Sequence, residues 1–175
     1  MKFANRFLTR MSTAAVVAAL AIAVVQVPGA PAALAASNSV TGKAGQVLSA
    51  SQVSNIKSGE ALVVSGKNFD TTVGIYVEMC VIVPATQLPN PCGGGVNMTG
   101  ASAASYWISS NPPSYGKGLA IAYGKGGSFK VTLKVSPKIG SIDCRKTECA
   151  IYVRADHTRT QDRTHDLYLP VSFSN

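Results

Sequence analysis

Ser128-Phe129-Lys130-Val131-Thr132-Leu133-Lys134-Val135 alternates apolar and polar residues without a break. Successive side chains of an extended chain point to opposite faces, so Phe129, Val131, Leu133 and Val135 share one face and Lys130, Thr132 and Lys134 the other. That is the pattern of a half-buried antiparallel strand. Similar pieces recur on both sides of it. Residues 73–83 set Val73, Ile75, Val77, Met79 and Val81 on one face, with Tyr76, Cys80 and Ile82 on the other, and apolar character on both faces predicts a central, covered strand. Residues 47–53, 61–65, 106–109, 149–155 and 167–173 are shorter strand candidates, the last with Leu167, Leu169, Val171 and Phe173 on one face. No window beyond Ala36 sustains apolar spacing at three and four residues behind a cap. Strands throughout, joined by glycine-punctuated turns, predict an all-β sandwich.

The N-terminus differs in kind. Lys2, Arg6 and Arg10 precede an apolar run over 14–25 and a small-residue stretch over 28–36, the pattern of a signal peptide cleaved after Ala35 or Ala36. The run is shorter than the roughly 20 residues of a spanning helix, and no second one follows, so no transmembrane segment is expected. The chain therefore divides into a signal peptide (1–36), a small, polar, flexible segment (37–45) and a β-sandwich domain (46–175) of a secreted, extracellular protein. The net charge of +8 falls to +5 without the three leader cations, leaving 13 Lys and Arg against 8 Asp and Glu. These charges are dispersed, with no run of five. They describe a solvated surface, and no direct nucleic-acid binding is expected.

Four cysteines, Cys80, Cys92, Cys144 and Cys149, follow the leader. An even count in an exported chain points to disulfides. Three connectivities are possible, and locality favours Cys80 with Cys92 and Cys144 with Cys149, worth roughly 3 and 2 kcal/mol by loop closure. Neither spacing is the CxxC of a structural zinc site.

The densest polar stretch, 154–166, holds both histidines and three of the eight acids. His157, His165, Asp156 and Asp162 would suit a divalent metal if the loop folded back on itself, and a haem or metal on a histidine or tyrosine is a related reading. Their spacing matches no named site. The structural alternative is a hairpin loop in which Arg154, Arg159 and Arg163 pair with Asp156, Asp162 and Asp166, and neither metal nor cofactor is expected. The chain has no GxSxG elbow, no HExxH and no cysteine left over, and Glu60, Glu78 and Glu148 lie in unconnected contexts. The expectation is that the protein is not an enzyme. Trp107, with Tyr106, Tyr115 and Tyr123, lies in a Gly-, Ser-, Ala- and Pro-rich insert over 97–127 and either lines a ligand cleft or plugs the core.

Ile142-Asp143-Cys144, four residues, Cys149, a strand, a polar loop and the terminal Leu169-Pro170-Val171-Ser172-Phe173 together resemble the neocarzinostatin family of secreted actinomycete apoproteins. The upstream order agrees: Ser58-Gly59-Glu60, then Val63-Val64-Ser65-Gly66, then Gly74-Ile75-Tyr76-Val77-Glu78-Met79-Cys80 and a hairpin closing at Cys92. The resemblance implies a seven-stranded immunoglobulin-like sandwich with two local disulfides. It also implies a cleft at one end that sequesters a small, apolar, reactive enediyne chromophore without changing it. Carried onto this chain, the cleft falls near Cys80, Cys92, Ile82 and Val83 and the loop over 155–166. With the residues singled out above, the candidate ligand-binding set is Ile82, Val83, Trp107, Asp156, His157 and Asp162. The function expected is that of a secreted, non-catalytic protein sequestering a small apolar ligand. The alternative is an immunoglobulin-like cell-envelope or surface interaction module binding protein or anionic polymer.

Overall fold

In the computed structural model, which describes residues 38–95, 97 and 99–174, all seven expected strand regions form strands. In chain order the elements are β1 (Ser39–Thr41), β2 (Val47–Ala50), β3 (Ala61–Lys67), β4 (Ile75–Val81), β5 (Ser105–Ile108), β6 (Phe129–Lys134), β7 (Lys138–Ile139), β8 (Ile142–Asp143), β9 (Cys149–Ala155) and β10 (Leu167–Val171). The signal peptide expected over 1–36 lies outside the described residues. No helix among the described residues is long and apolar enough to cross a membrane.

Two antiparallel sheets carry the fold, ordered β1-β2-β3-β6 and β10-β9-β4-β5, and β7 pairs with β8 in a separate ribbon. The chain changes sheet between β3 and β4, between β5 and β6, and again before β9. This is the crossing pattern of an immunoglobulin-like sandwich. The alternation of β6 is realised in full: Phe129, Val131 and Leu133 are buried while Lys130, Thr132 and Lys134 are exposed. They meet Leu48, Leu62 and Val64 of their own sheet and Val77, Met79, Ile151, Val153 and Leu169 of the facing one in a single core. Phe69 and Phe129 close one end of it with ring centroids 5.4 Å apart.

The 37–45 segment is not a free tail. Ser39, Val40 and Thr41 pair with Ser49, Leu48 and Val47, making an eighth strand in the sandwich where seven were expected. Composition misjudged it because an edge strand is held by main-chain hydrogen bonds, which small polar residues make as well as any others. Both local disulfides are present, Cys80–Cys92 and Cys144–Cys149. The first ties the hairpin after β4 back onto its own strand, where the Val81 amide donates to the Pro91 carbonyl (3.1 Å) and the Gly93 amide to that of Met79 (2.7 Å).

Strand β4 lies between β5 and β9, as its two apolar faces predict. Its inner face is core. Its outer face is covered near Cys80 by a small cluster of Cys80, Ala150 and Tyr152 with Ile82 and Cys92.

Candidate functional site: an aromatic cleft on the outer sheet

Register decides what the outer face of the β10-β9-β4-β5 sheet displays. Tyr76 is paired with Trp107 on one side and Arg154 on the other, so these three side chains form one row. Ser105, Glu78, Tyr152 and Tyr168 form the next row by the same pairings. Aligned cross-strand neighbours sit close enough to touch, and each row behaves as a contact chain.

Trp107 is fixed from below and from the side. Its indole Nε1–H donates to the Asp156 carboxylate (2.8 Å), a residue only 2 % exposed. The other oxygen of Asp156 accepts from the Thr158 amide (2.9 Å) and hydroxyl (2.6 Å), starting the one-turn 3-10 helix His157–Arg159. One carboxylate thus orients the indole and positions the turn that carries His157. Two glycines make the room: a Cβ on Gly74 would stand 1.9 Å from Asp156 Oδ2, and one on Gly116 would stand 2.4 Å from the Trp107 ring.

Tyr115 arrives from the insert on a second 3-10 turn, Ser114–Gly116, and lies nearly parallel to Trp107 with centroids 6.5 Å apart. His157 stands edge-on to Trp107 at 5.0 Å. Its Nε2 is hydrogen-bonded to the Tyr115 hydroxyl (2.7 Å) and its Nδ1 to the Tyr76 hydroxyl. A neutral imidazole has one donor and one acceptor nitrogen, so two phenols satisfy it in either tautomer. Burial, reinforced by the Asp156 carboxylate, pushes the Tyr76 phenol up to about 12, which keeps it neutral.

These rings line a cleft of about 410 Å³, completed by Leu119 and Ile121. No Asp, Glu, Lys or Arg lines it among the described residues. The part of the insert that supplies this wall is hydrogen-bonded to the strands: the Ile121 amide donates to Trp107 O (2.8 Å), the Ser109 amide to Ile121 O (2.9 Å) and the Tyr123 hydroxyl to Val73 O (3.0 Å).

The six candidate ligand residues separate into two groups. Trp107 and His157 line the cleft, and Asp156 sits beneath it as a positioning residue. Ile82 packs in the disulfide cluster, and Val83 lines a different cavity. Asp162 accepts from Thr164 (2.9 Å) and faces His165 (3.6 Å). His157 and His165 therefore engage separate partners. Glu78, Cys80 and Cys92 come together, but both cysteines are spent in the disulfide and offer no thiolate. Of the three arginines expected to order the 154–166 loop, Arg163 binds Asp166 (2.8 Å). Arg154 instead binds Glu78 (2.7 Å) across the sheet. Tyr76 and the glycines Gly74 and Gly116 were not among the expected site residues. Tyr76 was legible as outward-facing on a strand whose other face is core, but its partner rings were not.

No protein-family model matches this sequence, and no curated protein matches it either. Among solved structures the chain is similar to macromomycin, with a TM-score of 0.47 and 12 % identity over 73 % of this chain and 98 % of that one. The immunoglobulin-like assignment rests on the strand order and disulfides of this chain, not on that likeness.

Proposed function

We propose that the protein is an exported, non-catalytic carrier that holds a small, flat, largely apolar molecule in the cleft of Tyr76, Trp107, Tyr115 and His157. The observation that carries this reading is the cleft's composition: Tyr76, His157 and Tyr115 joined by hydrogen bonds, Trp107 held by Asp156 beneath it, and no Asp, Glu, Lys or Arg on the wall among the described residues. A site of this kind rewards apolar area and face-on or edge-on ring contact and penalises a charged guest. At about 410 Å³ it is within the range of small-molecule pockets, roughly 300–1,000 Å³. A carrier is favoured over catalysis because both nitrogens of His157 are engaged by phenols and the Tyr76 phenol is held neutral, its pKa pushed up to about 12 by burial. Two disulfides and the leader sequence support an extracellular setting.

Trp107 is the single tryptophan of the chain, so its fluorescence reports on the cleft directly. Titration with 2-naphthol, a flat and nearly apolar probe, is expected to quench it saturably. Calorimetry with Trp107→Ala should show affinity lowered by roughly ten- to a hundredfold, the loss of 1.5–3 kcal/mol of ring burial. Native mass spectrometry of protein from its own culture supernatant should show a noncovalent small-molecule adduct that the variant lacks. Absence of saturable quenching, or equal binding by Trp107→Ala, would refute the proposal.

A further inference from the structure

Cations that are dispersed along the sequence are gathered by the β1-β2-β3-β6 sheet. These four strands contain no Asp or Glu, and their charged residues are Lys67, Lys130 and Lys134, all exposed on the outer face. The other large sheet carries Glu78 and Arg154, which bind one another. Gly66 pairs with Phe129, so Lys67 stands opposite position 128, on the diagonal from Lys130 at about 8 Å. Lys130 and Lys134 follow on one strand, about 13 Å apart. Turns extend the line at both ends. The Asn68 amide donates to Gly126 O (2.9 Å), which sets the turn of exposed Lys125 against the end of β3. The Gly59 amide donates to Val135 O (2.8 Å), which sets the turn of exposed Lys57 against the end of β6, and the acid of that turn, Glu60, accepts from the Lys57 amide (2.8 Å). None of these five lysines is in an ion pair among the described residues, where Lys138 is the one lysine so engaged.

Lysines on an edge strand commonly prevent edge-to-edge pairing. Here the insert covers that edge: the Lys134 amide donates to Ala103 O (2.8 Å), and Thr132 O accepts from the Tyr106 hydroxyl (2.9 Å). Lys67, moreover, is on an inner strand. Strands β1 and β2 add Ser39, Thr41, Val47 and Ser49 to the face and no cation. The charge is therefore a stripe, about 20 Å long over the rows of 128 to 134, and not a field over the whole sheet. A stripe complements a linear polyanion better than a flat anionic surface, which would be met by one half of the sheet. These strands present no aromatic side chain on the face, so a nucleobase would have nothing to stack on. We infer that this face is a docking surface for a linear, base-free phosphodiester polymer whose phosphates follow Lys125, Lys67, Lys130 and Lys134 towards Lys57. The aromatic cleft lies on the other sheet, and failure of this inference would leave the carrier reading intact.

The test is calorimetric titration of the mature, oxidised protein with synthetic poly(glycerol phosphate) over a range of sodium chloride concentrations. Five engaged lysines predict a slope of about −3.5 in log K against log salt, roughly a hundredfold loss of affinity between about 50 and about 200 mM. Lys67→Gln/Lys130→Gln/Lys134→Gln should reduce the slope to about −1.4, whereas Lys117→Gln/Lys146→Gln/Arg159→Gln, which removes the same charge elsewhere, should leave it unchanged. Amide NMR should show shifts at Lys67, Lys130 and Lys134 with the Trp107 indole signal unmoved. Four results would overturn the inference: no saturable binding at about 20 mM salt, an equal loss in the charge-matched variant, tighter binding to poly(dT) than to poly(glycerol phosphate) per phosphate, or binding to anionic phosphatidylglycerol vesicles and not to the polymer.

Discussion

Replacing Arg154 by Met strands a carboxylate. Glu78 is 2 % exposed on the outer face of β4, and both Nε and one terminal nitrogen of Arg154 reach its Oε1 at 2.7 Å. Burial raises the Glu78 carboxyl above its ordinary value, with Arg154 opposing the rise. Removing one partner of such a pair costs about 3–5 kcal/mol, far above the 0–1 kcal/mol of an exposed pair. Arg154 also lies over the Tyr76 ring at 5.1 Å, a contact that Met replaces only in part. Against a total stability of about 5–15 kcal/mol, the loss should lower the melting temperature by roughly 10–20 °C. The sign of its pH dependence follows from the acid. Without Arg154 the folded-state value of Glu78 rises further, so the penalty is full above that value and shrinks as pH falls towards the ordinary 4.5. Urea unfolding followed by Trp107 fluorescence, at about pH 7.5 and about pH 5, measures both effects. The double variant Arg154→Met/Glu78→Gln should recover most of the loss, because no buried charge remains unpaired. A single-variant cost below about 1 kcal/mol, or a cost that is the same at both pH values, would refute the reasoning.

Two further outcomes can be checked on the same material. Burial pushes the Asp166 carboxyl up to about 6 against the pull of Arg163, so the folded state takes up its proton more readily than the unfolded chain. Stability through this group should therefore increase as pH falls from about 6 towards the ordinary 3.8, and urea midpoints of Asp166→Asn against the wild type should isolate that slope; the opposite sign would contradict it. The disulfides should rank by loop length: Cys80→Ala/Cys92→Ala, opening a separation of 12 residues, is expected to cost roughly 3 kcal/mol, and Cys144→Ala/Cys149→Ala, a separation of 5, roughly 2. The reverse order in urea denaturation would show that native contacts, not chain entropy, set their worth.

The alternation over 128–135 and the two-faced apolar run over 73–83 were enough to make β6 a half-buried strand and to place β4 in the middle of its sheet. Both readings depend only on local period, which a sequence displays directly. The site was less legible because its bonds join residues far apart along the chain. Trp107 meets Asp156 across 49 positions, Tyr115 meets His157 across 42, and Arg154 meets Glu78 across 76. Those pairings are set by strand register and by the path of the insert, neither of which leaves a local signature. Arg154 was assigned to a neighbour in its own loop for that reason. Trp107 was singled out as a large aromatic in a small-residue insert, and Asp156, His157 and Asp162 from one polar loop; of these, Trp107 and His157 line the aromatic cleft and Asp162 does not.

The aromatic cleft draws its walls from two sources of unequal permanence. Tyr76 and Trp107 belong to paired strands, and any change in their placement must pass through the sheet and its core. Tyr115, Leu119 and Ile121 belong to a segment that contributes little to that core. The rigid half can therefore be inherited unchanged while the other half is lengthened, shortened or rewritten, so that guest preference and folding are free to diverge in separate lineages. A scaffold divided in this way is also a starting point for engineering: varying Tyr115, Leu119 and Ile121 while keeping Gly116, whose Cβ would meet the Trp107 ring, changes one wall of the cleft and leaves the buried core residues in place.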